Sequence, residues 1–573
     1  MPERYLITAA LPYVNNVPHI GNIVGSHLPA DIFARYCRLK GRETVFIGGT
    51  DEHGSPSEIA AEKAGIPVTE LCDTFFEIHK KIYDWFELSY DNFSRTSRPI
   101  HHEITREFFL ELQKNGFISQ QKMKMPYCAK DKRFLADRFV EGKCPHCAHE
   151  GARGDQCEQC GTMLTPSELI KPHCVLCKSA PVIKETTHLF LNLDKLQPKL
   201  EEWIRENSHW KPQVKNLAMG WLKGGLKKRA ITRDLKWGVK VPVKGYEEKV
   251  LYVWFDAPIG YISSTKEWIG QDKGIENKEY EFKKWWIDKK TKLFHFIGKD
   301  NIPFHTIFFP AMLIGEGHYN LPYQVSGYQF LNYEGGKISK SKGHGIFCET
   351  FIEDARDALP ADVWRFYLAL KLPEVRDTEF TWSEFESRVN TELMGNLSNF
   401  FNRVTSFIET KNFGEIKKPA NFTAEDEEMV KQIKVYVEKV DKLYDNIDLV
   451  SAIQTILELS AKGNQYLQSN EPWKRVERQE AVLWTCANIC KSLGVMLSPI
   501  IPEAAGKIRK ILNLKEQYDW DDASKLLPHE HKIGKSEILF RKLEGITIKE
   551  LREKTTKIGK VEDRIGKHKA HSD

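Results

Sequence analysis

Apolar and polar positions follow different rhythms in different parts of this chain. Near its start, Tyr5-Leu6-Ile7-Thr8-Ala9-Ala10 is a short apolar run that stops at a Pro/Asn loop and reads as a buried strand. A helical stretch follows from residue 19 to about 39, with Pro29 expected to kink it. Thr44-Val45-Phe46-Ile47 reads as a second strand ending at Gly48-Gly49-Thr50-Asp51. Strand, loop, helix, strand predicts a parallel sheet with helices on its faces. Ligands on such sheets bind at the carboxyl ends of the strands, where the His19 loop and Asp51 both fall. Residues 293–297 and 324–327 continue the strand pattern. Between them and the start, from about 123 to 191, helical spacing disappears and Cys, Gly, Pro and charge dominate, so one sheet is split by an inserted module.

Beyond about residue 391 the pattern is helical almost throughout. Leu393, Leu397, Phe400, Phe401 and Val404 keep the spacing of one apolar face, as do Val450, Ile453, Ile456, Leu457 and Ala461, which predicts a helix bundle. Residues 546–573 are charged and weakly patterned: either a solvated tail or a helix docked on the body.

At 573 residues the chain is too long for one ordinary domain. Its net charge of +5 excludes a uniformly basic coat for nucleic acid, so any such surface must be local. No apolar run is long enough to span a bilayer, and the run at 5–11 has only Arg4 as a basic flank, so a strand is a better reading than an export signal. The twelve cysteines are then expected in a reducing cytoplasm.

Pro18-His19-Ile20-Gly21-Asn22 sits where a loop enters a helix, whose free N–H groups and positive dipole end suit phosphate. Gly21 is expected to let a nucleotide approach the backbone. Lys337-Ile338-Ser339-Lys340-Ser341 follows Gly335-Gly336 and makes a cationic loop able to close on a triphosphate. Singly, the first motif reads as capping residues and the second as a solvated basic turn. Together, after the first strand and the last, they seldom coincide by chance.

These paired motifs resemble the two signatures of the class I aminoacyl-tRNA synthetases. Ala10-Leu11-Pro12-Tyr13, Asp51-Glu52-His53-Gly54, residues 254–261 and Phe296-Ile297-Gly298-Lys299-Asp300 resemble segments of the methionyl-tRNA synthetase family, in its archaeal and eukaryotic branch. The resemblance runs from Tyr5 to at least Trp473. It implies a Rossmann-type α/β catalytic domain (residues 1–118 and 193–335) split by a zinc-binding insert (119–192). A lysine-loop and stem-contact region (336–390), an α-helical anticodon-binding bundle (391–545) and a terminal helix or tail (546–573) follow. It implies ATP with Mg²⁺, L-methionine and tRNA(Met) as substrates. His19, Asn22, Lys337 and Lys340 would be catalytic, with Gly21, Lys299, Asp300 and Ser339 also at ATP. Asp51 would hold the substrate ammonium, among Ala10, Leu11, Tyr13, Trp254, Pro258, Tyr261 and His305, with the polar ends of Tyr261 and His305 able to reach the sulfur. Without the flanking motif, Leu11, Trp254 and Pro258 would read as core packing and His305 as a satisfied core histidine. Synthetases for the branched-chain amino acids carry a much larger editing insert, which this chain lacks. A zinc-ribbon nucleic-acid binder without catalysis is the alternative of another class.

Cys144, Cys147, Cys157 and Cys160 form C-x2-C-x9-C-x2-C, four thiolates at tetrahedral reach for a structural zinc ion. Nested around them, Cys128, Asp131, Cys174 and Cys177 suggest an outer site, with His173 or His146 as substitutes for Asp131. In the bundle, Trp473 beside Pro472 is placed to stack on an unpaired base, and Asn470 offers an amide to base edges. The resemblance assigns Asn399, Arg403 and Trp473 to the anticodon. Some members carry a further C-terminal dimerisation domain; here it is missing, separate or trimmed, and partners in a synthetase assembly are not legible.

Overall fold

The computed structural model describes residues 3–555 except 156, 158, 161, 163, 272–273, 341–342, 354–358 and 413, together with Arg564. Ser341, the last residue of the lysine motif, lies outside the described residues. In chain order, the main strands are β1 (Arg4–Ala9), β2 (Glu43–Thr50), β3 (Asn92–Arg95), β4 (Ile118–Cys128), β5 (Val182–Leu191), β6 (Thr291–Gly298) and β7 (Gln324–Tyr328).

Five of them form one parallel sheet in the order β7-β6-β1-β2-β3. Leu6 and Ile7 point to opposite faces and both are buried, which explains why β1 reads as a continuous apolar run. The chain leaves β1 for β2 on one side and places β6 on the other. The crevice at this reversal is where ligands bind on such sheets, and the His19 loop leaves β1 there. β4 and β5 pair antiparallel from Ile118↔Leu191 to Tyr127↔Val182 and carry the cysteine-rich module away from the sheet.

The helix after the His19 loop runs from Ile20 to Leu39, with its turn at Ile23–His27 widened to π geometry. Leu28 N–H bonds to the Ile23 carbonyl across that turn, directly before Pro29. Proline brings no N–H, so the wide turn meets it where an ordinary turn would leave a carbonyl unpaired.

The bundle includes Asn399–Lys411, Ala424–Asp445, Leu449–Asn470, Gln479–Leu497 and Pro502–Ile511. The first predicted apolar face is buried at all five positions. On the second, Ile453, Ile456 and Leu457 are buried and Val450 half-buried, but Ala461 is exposed: Leu457 already marks the edge of the face, and the next turn rotates past it. The described part of the charged terminus docks on the body. Gly545–Thr555 is a helix whose Leu551 is buried, Thr555 C=O accepts from Phe347 N–H, and Arg564 pairs with Glu349 at 2.6 Å.

Candidate active site

At the carboxyl ends of β1, β2 and β6 the backbone opens a cavity of about 490 Å³. Its walls bring together residues from distant parts of the sequence. Ala10, Leu11 and Tyr13 come from the loop after β1, His19, Gly21 and Asn22 from the helix start, and Asp51 from the end of β2. Trp254, Pro258 and Tyr261, then Asp300 and His305, supply the opposite wall, and Lys337 and Lys340 close it.

The phosphate-side geometry is built by the His19 turn. His19 is extended, and its N–H donates to Asn22 Oδ1 at 3.0 Å, which caps the turn and leaves the Asn22 amide N–H₂ available. Among the described residues, His19 Nδ1 is buried and without a partner. Burial, with Lys340 nearby, pushes the imidazole down to about 3, so the ring is neutral. Gly21 lines the cavity, and a Cβ there would lie 3.0 Å from the His19 ring and 3.3 Å from Ile338. The lysine loop reaches this turn through the main chain. Ile20 N–H donates to Ile346 C=O, and Cys348 N–H donates to Pro18 C=O. Lys340 is half-buried, and burial pushes its ammonium down to about 8.

Two of the expected ATP residues do not line the cavity. Lys299 turns away to pair with Asp377 at 2.9 Å and lies over the Phe330 ring. Ser339 bonds through its main chain to His344, as the hairpin partner that shapes the lysine loop. In their place Asn301, Phe304, Gln329 and Phe330 line the wall. The strand-end rule flags Gln329 and Phe330, since they directly follow β7.

On the amino-acid side, Leu11 and Gly260 meet so closely that a Cβ at 260 would sit 2.8 Å from Leu11 Cδ2. Trp254 Nε1–H donates to Tyr13 Oη at 3.2 Å. His305 Nδ1 lies 3.0 Å from the Asn301 carbonyl, so it carries the proton and Nε2 accepts from Tyr261 Oη–H at 2.9 Å. The two polar ends are thus hydrogen-bonded to each other and to the backbone. Asp51 is buried with Oδ1 unpaired, and burial and then Asp256 hold its carboxyl well above the usual range. A buried carboxylate with one oxygen left open at a pocket wall is built to receive a cation.

In the module beyond β4 and β5, the Sγ atoms of Cys144, Cys147, Cys157 and Cys160 lie within 4.8 Å of one another, at 3.9 Å between Cys144 and Cys160 and 3.6 Å between Cys147 and Cys157. Four thiolates about 2.3 Å from one tetrahedral ion would have such separations. Cys128, Asp131, Cys174 and Cys177 also converge within 4.8 Å, with Asp131 Oδ2 3.0 Å from Cys174 and 3.3 Å from Cys128. His173 faces Glu141 instead, and His146 is in neither group.

In the bundle, Glu471 adopts a left-handed conformation that ends the Leu449–Asn470 helix and turns Trp473 outward. Trp473 is 40% exposed, with the Arg403 guanidinium 5.4 Å from its ring centre. Asn399 is exposed one turn before Arg403. Asn470, in contrast, is buried: its amide donates to Tyr466 C=O and its oxygen accepts from Arg478.

Among the described residues no helix is long and apolar enough to cross a membrane. Residues 5–405 match the family described as tRNA synthetases class I (M), and residues 416–559 match the anticodon binding domain of methionyl tRNA ligase. The chain is 43% identical to the methionine–tRNA ligase of Aeropyrum pernix, over 94% of this chain and 95% of that protein. It is 43% identical to that of Pyrococcus furiosus, over 94% and 75%. With the cytoplasmic enzyme of Caenorhabditis elegans it shares 42% identity over 96% of this chain, but spans only 60% of that longer protein. A solved methionyl-tRNA synthetase of Mycobacterium tuberculosis, in complex with methionyl-adenylate, has the same fold, with a TM-score of 0.77 at 24% identity over 94% of this chain and 99% of that one. With both family models matched in order along a chain whose sheet crevice joins both nucleotide motifs, this protein belongs to the methionyl-tRNA synthetases of class I.

Proposed function

We propose that this chain joins methionine to tRNA(Met) in two steps within the β1–β6 crevice. A methionine carboxylate oxygen attacks the α-phosphorus of ATP; the bond to the β-phosphate breaks, giving methionyl-adenylate and pyrophosphate. A terminal ribose hydroxyl of the tRNA then attacks the activated carbonyl and AMP leaves. The observation that carries this reading is the single cavity with the His19 turn and lysine loop at one end and Asp51 with an apolar wall at the other.

The roles follow from the chemistry of each group. Asp51 receives the ammonium, and Leu11, Trp254, Pro258 and the Tyr261–His305 pair enclose the side chain, an apolar wall suited to a flexible thioether. Neutral His19 and the Asn22 amide donate to phosphate oxygens. Lys337 and Lys340 neutralise charge that builds as pyrophosphate leaves, and catalysis is mainly positioning and charge stabilisation. Asp300 suits a ribose hydroxyl. Mg²⁺ accompanies the triphosphate. The two cysteine-rich groups fit zinc in closed, structural shells, the outer one with Asp131. Asn399, Arg403 and Trp473 form an exposed surface for anticodon bases. The working compartment is the cytoplasm.

Amino-acid-dependent exchange of pyrophosphate into ATP, run over all twenty amino acids, tests the reading. Exchange with methionine alone supports it. No exchange with any amino acid would leave a nucleic-acid-binding protein, and exchange led by another amino acid would reassign the pocket.

A further inference from the structure

Beneath the amino-acid wall lies a buried group that none of the roles above uses. His53 Nδ1 and Asp256 Oδ2 are 2.6 Å apart, and neither side chain reaches solvent. Two atoms bound to one metal ion at about 2.0–2.1 Å each sit about 3 Å or more apart, so a shared proton, not an ion, joins this pair. The remaining contacts close around it. His53 Nε2 is 3.2 Å from His102 Nε2, and the Trp237 ring packs edge-on. His101 approaches Asp256 at 4.0 Å while bonding Ser263 and Thr105. Glu52, the adjacent acid, is taken up by Arg95 at 2.8 and 3.1 Å.

His53 also stands two residues along the chain from the other buried acid, Asp51. Its main-chain N–H favours the ionised Asp51 carboxylate, whereas Asp256 disfavours it. One residue thus acts on two carboxyl groups, on one through the backbone and on the other through the ring. Two like charges in one dry site disfavour each other, whereas a carboxyl group sharing a proton with an imidazole is neutral as a pair. Burial raises the Asp256 carboxyl well up and pushes the His53 imidazole down to about 4, which agrees with a protonated acid facing a neutral ring.

We propose that His53 is a positioning residue for the amino group of methionine: its ring pairs with Asp256 so that Asp51 is the one carboxyl left to ionise against the substrate ammonium. The inference rests on the reading of Asp51 as the ammonium site. It assigns His53 no contact with substrate. Removing the ring frees Asp256 to ionise or to rotate toward Asp51, and either spoils the match of one carboxylate to one ammonium.

Competition in methionine-dependent pyrophosphate exchange tests this with two inhibitors. Methioninol keeps the ammonium and lacks the carboxylate; 4-(methylthio)butanoate keeps the carboxylate and lacks the ammonium. His53→Ala is expected to weaken methioninol roughly tenfold, as one orphaned buried group does, with little change for the desamino acid. His53→Asn, whose amide oxygen accepts the same hydrogen bond, should recover most of that loss, and Asp256→Asn should retain most of the affinity that Asp256→Ala loses. Equal weakening of both inhibitors by His53→Ala, or an Asp256→Asn as poor as Asp256→Ala, would overturn the proposal. Asp51→Asn is measured in parallel. If it too weakens both inhibitors equally, the ammonium assignment itself falls; if it discriminates and His53→Ala does not, only this inference falls.

Discussion

Arg365 donates to the Asp31 carboxylate at 2.7 Å with both side chains fully buried, and its other N–H groups bond to the carbonyls of Phe86, Pro499 and Ile500. Asp31 lies on the helix that begins at the His19 turn, while Pro499 and Ile500 lie in the turn between the bundle helices Gln479–Leu497 and Pro502–Ile511. One guanidinium thus ties the catalytic sheet domain to the bundle. Burial alone would raise Asp31, yet Arg35 and Arg365 hold it down at about 2. Arg365→Met leaves a buried carboxylate and three carbonyls short of a donor, and should cost about 3–5 kcal/mol in urea unfolding. Adding Asp31→Leu should return part of that loss, because no fully buried charge then remains and the Arg35 left behind reaches solvent. A double variant less stable than the single one would mean the carboxylate has other support.

Lys340→Ala should leave methionine binding nearly intact and slow adenylate formation by about 2.7–4 kcal/mol in barrier, a factor of several hundred. The pH dependence adds a sign. Burial sets the Lys340 ammonium at about 8 in the free protein, so the charged form prevails below that value and is lost above it. The kcat/KM for ATP should fall as pH rises through about 8, and that limb should vanish in Lys340→Ala. Equal losses of methionine affinity and rate would instead assign the lysine to ground-state binding.

Tyr261→Phe removes the donor that satisfies His305 Nε2, and should raise the KM for methionine by the roughly 1–3 kcal/mol equivalent of an orphaned buried acceptor. Because the hydroxyl proton points to His305, norleucine, which lacks the sulfur, should be weakened equally. Selective loss of methionine over norleucine would show that the hydroxyl does reach the sulfur when substrate is bound.

Much of this arrangement is legible in the sequence, for definite reasons. β1 and β2 read as strands because both faces are buried, and the bundle read as helices because Leu393, Leu397 and Phe400 repeat at the helical period. The His19 and Asp51 ends of strands fell in one crevice because a parallel sheet puts them there. Side-chain direction was not legible. Nothing in the spacing says that Lys299 turns to Asp377, that Asn470 is spent inside the bundle, or that Gly21 makes room for its own neighbour's ring. Nor does a weakly patterned terminus announce that it docks, since its described contacts, among them Ile548, Leu551, Thr555 and the Arg564–Glu349 pair, form no regular apolar face.

The cysteine-rich module should hold between one and two zinc ions per chain. Cys157→Ala opens the inner thiolate shell, and because such metal binding is coupled to folding, the module should loosen and its zinc be released. Limited proteolysis between residues 128 and 177, read with metal analysis, checks it. A variant with full zinc content and an intact module would rule out this ligand set.

Trp473→Ala should damage charging of tRNA far more than formation of methionyl-adenylate. The ring is 40% exposed at a turn after a bundle helix and carries Arg403 beside it, while Asn399 continues the same surface. An exposed indole backed by a guanidinium offers an unpaired base a flat apolar face and a nearby positive charge. Loss of that stacking costs roughly 1–3 kcal/mol, about ten- to a hundredfold in binding or efficiency. Pyrophosphate exchange without tRNA should change little, since that half-reaction uses the cavity at β1, β2 and β6, which no residue of this surface lines. Thermal stability should also hold, because the ring is not part of the bundle core. Arg403→Ala supplies an independent check, since it removes the partner without touching the indole and should produce a smaller loss of the same kind. Measuring both rates and the melting temperature on one preparation separates the alternatives. Parallel losses in the two assays with a lowered melting temperature would show that the tryptophan supports the bundle and not the anticodon.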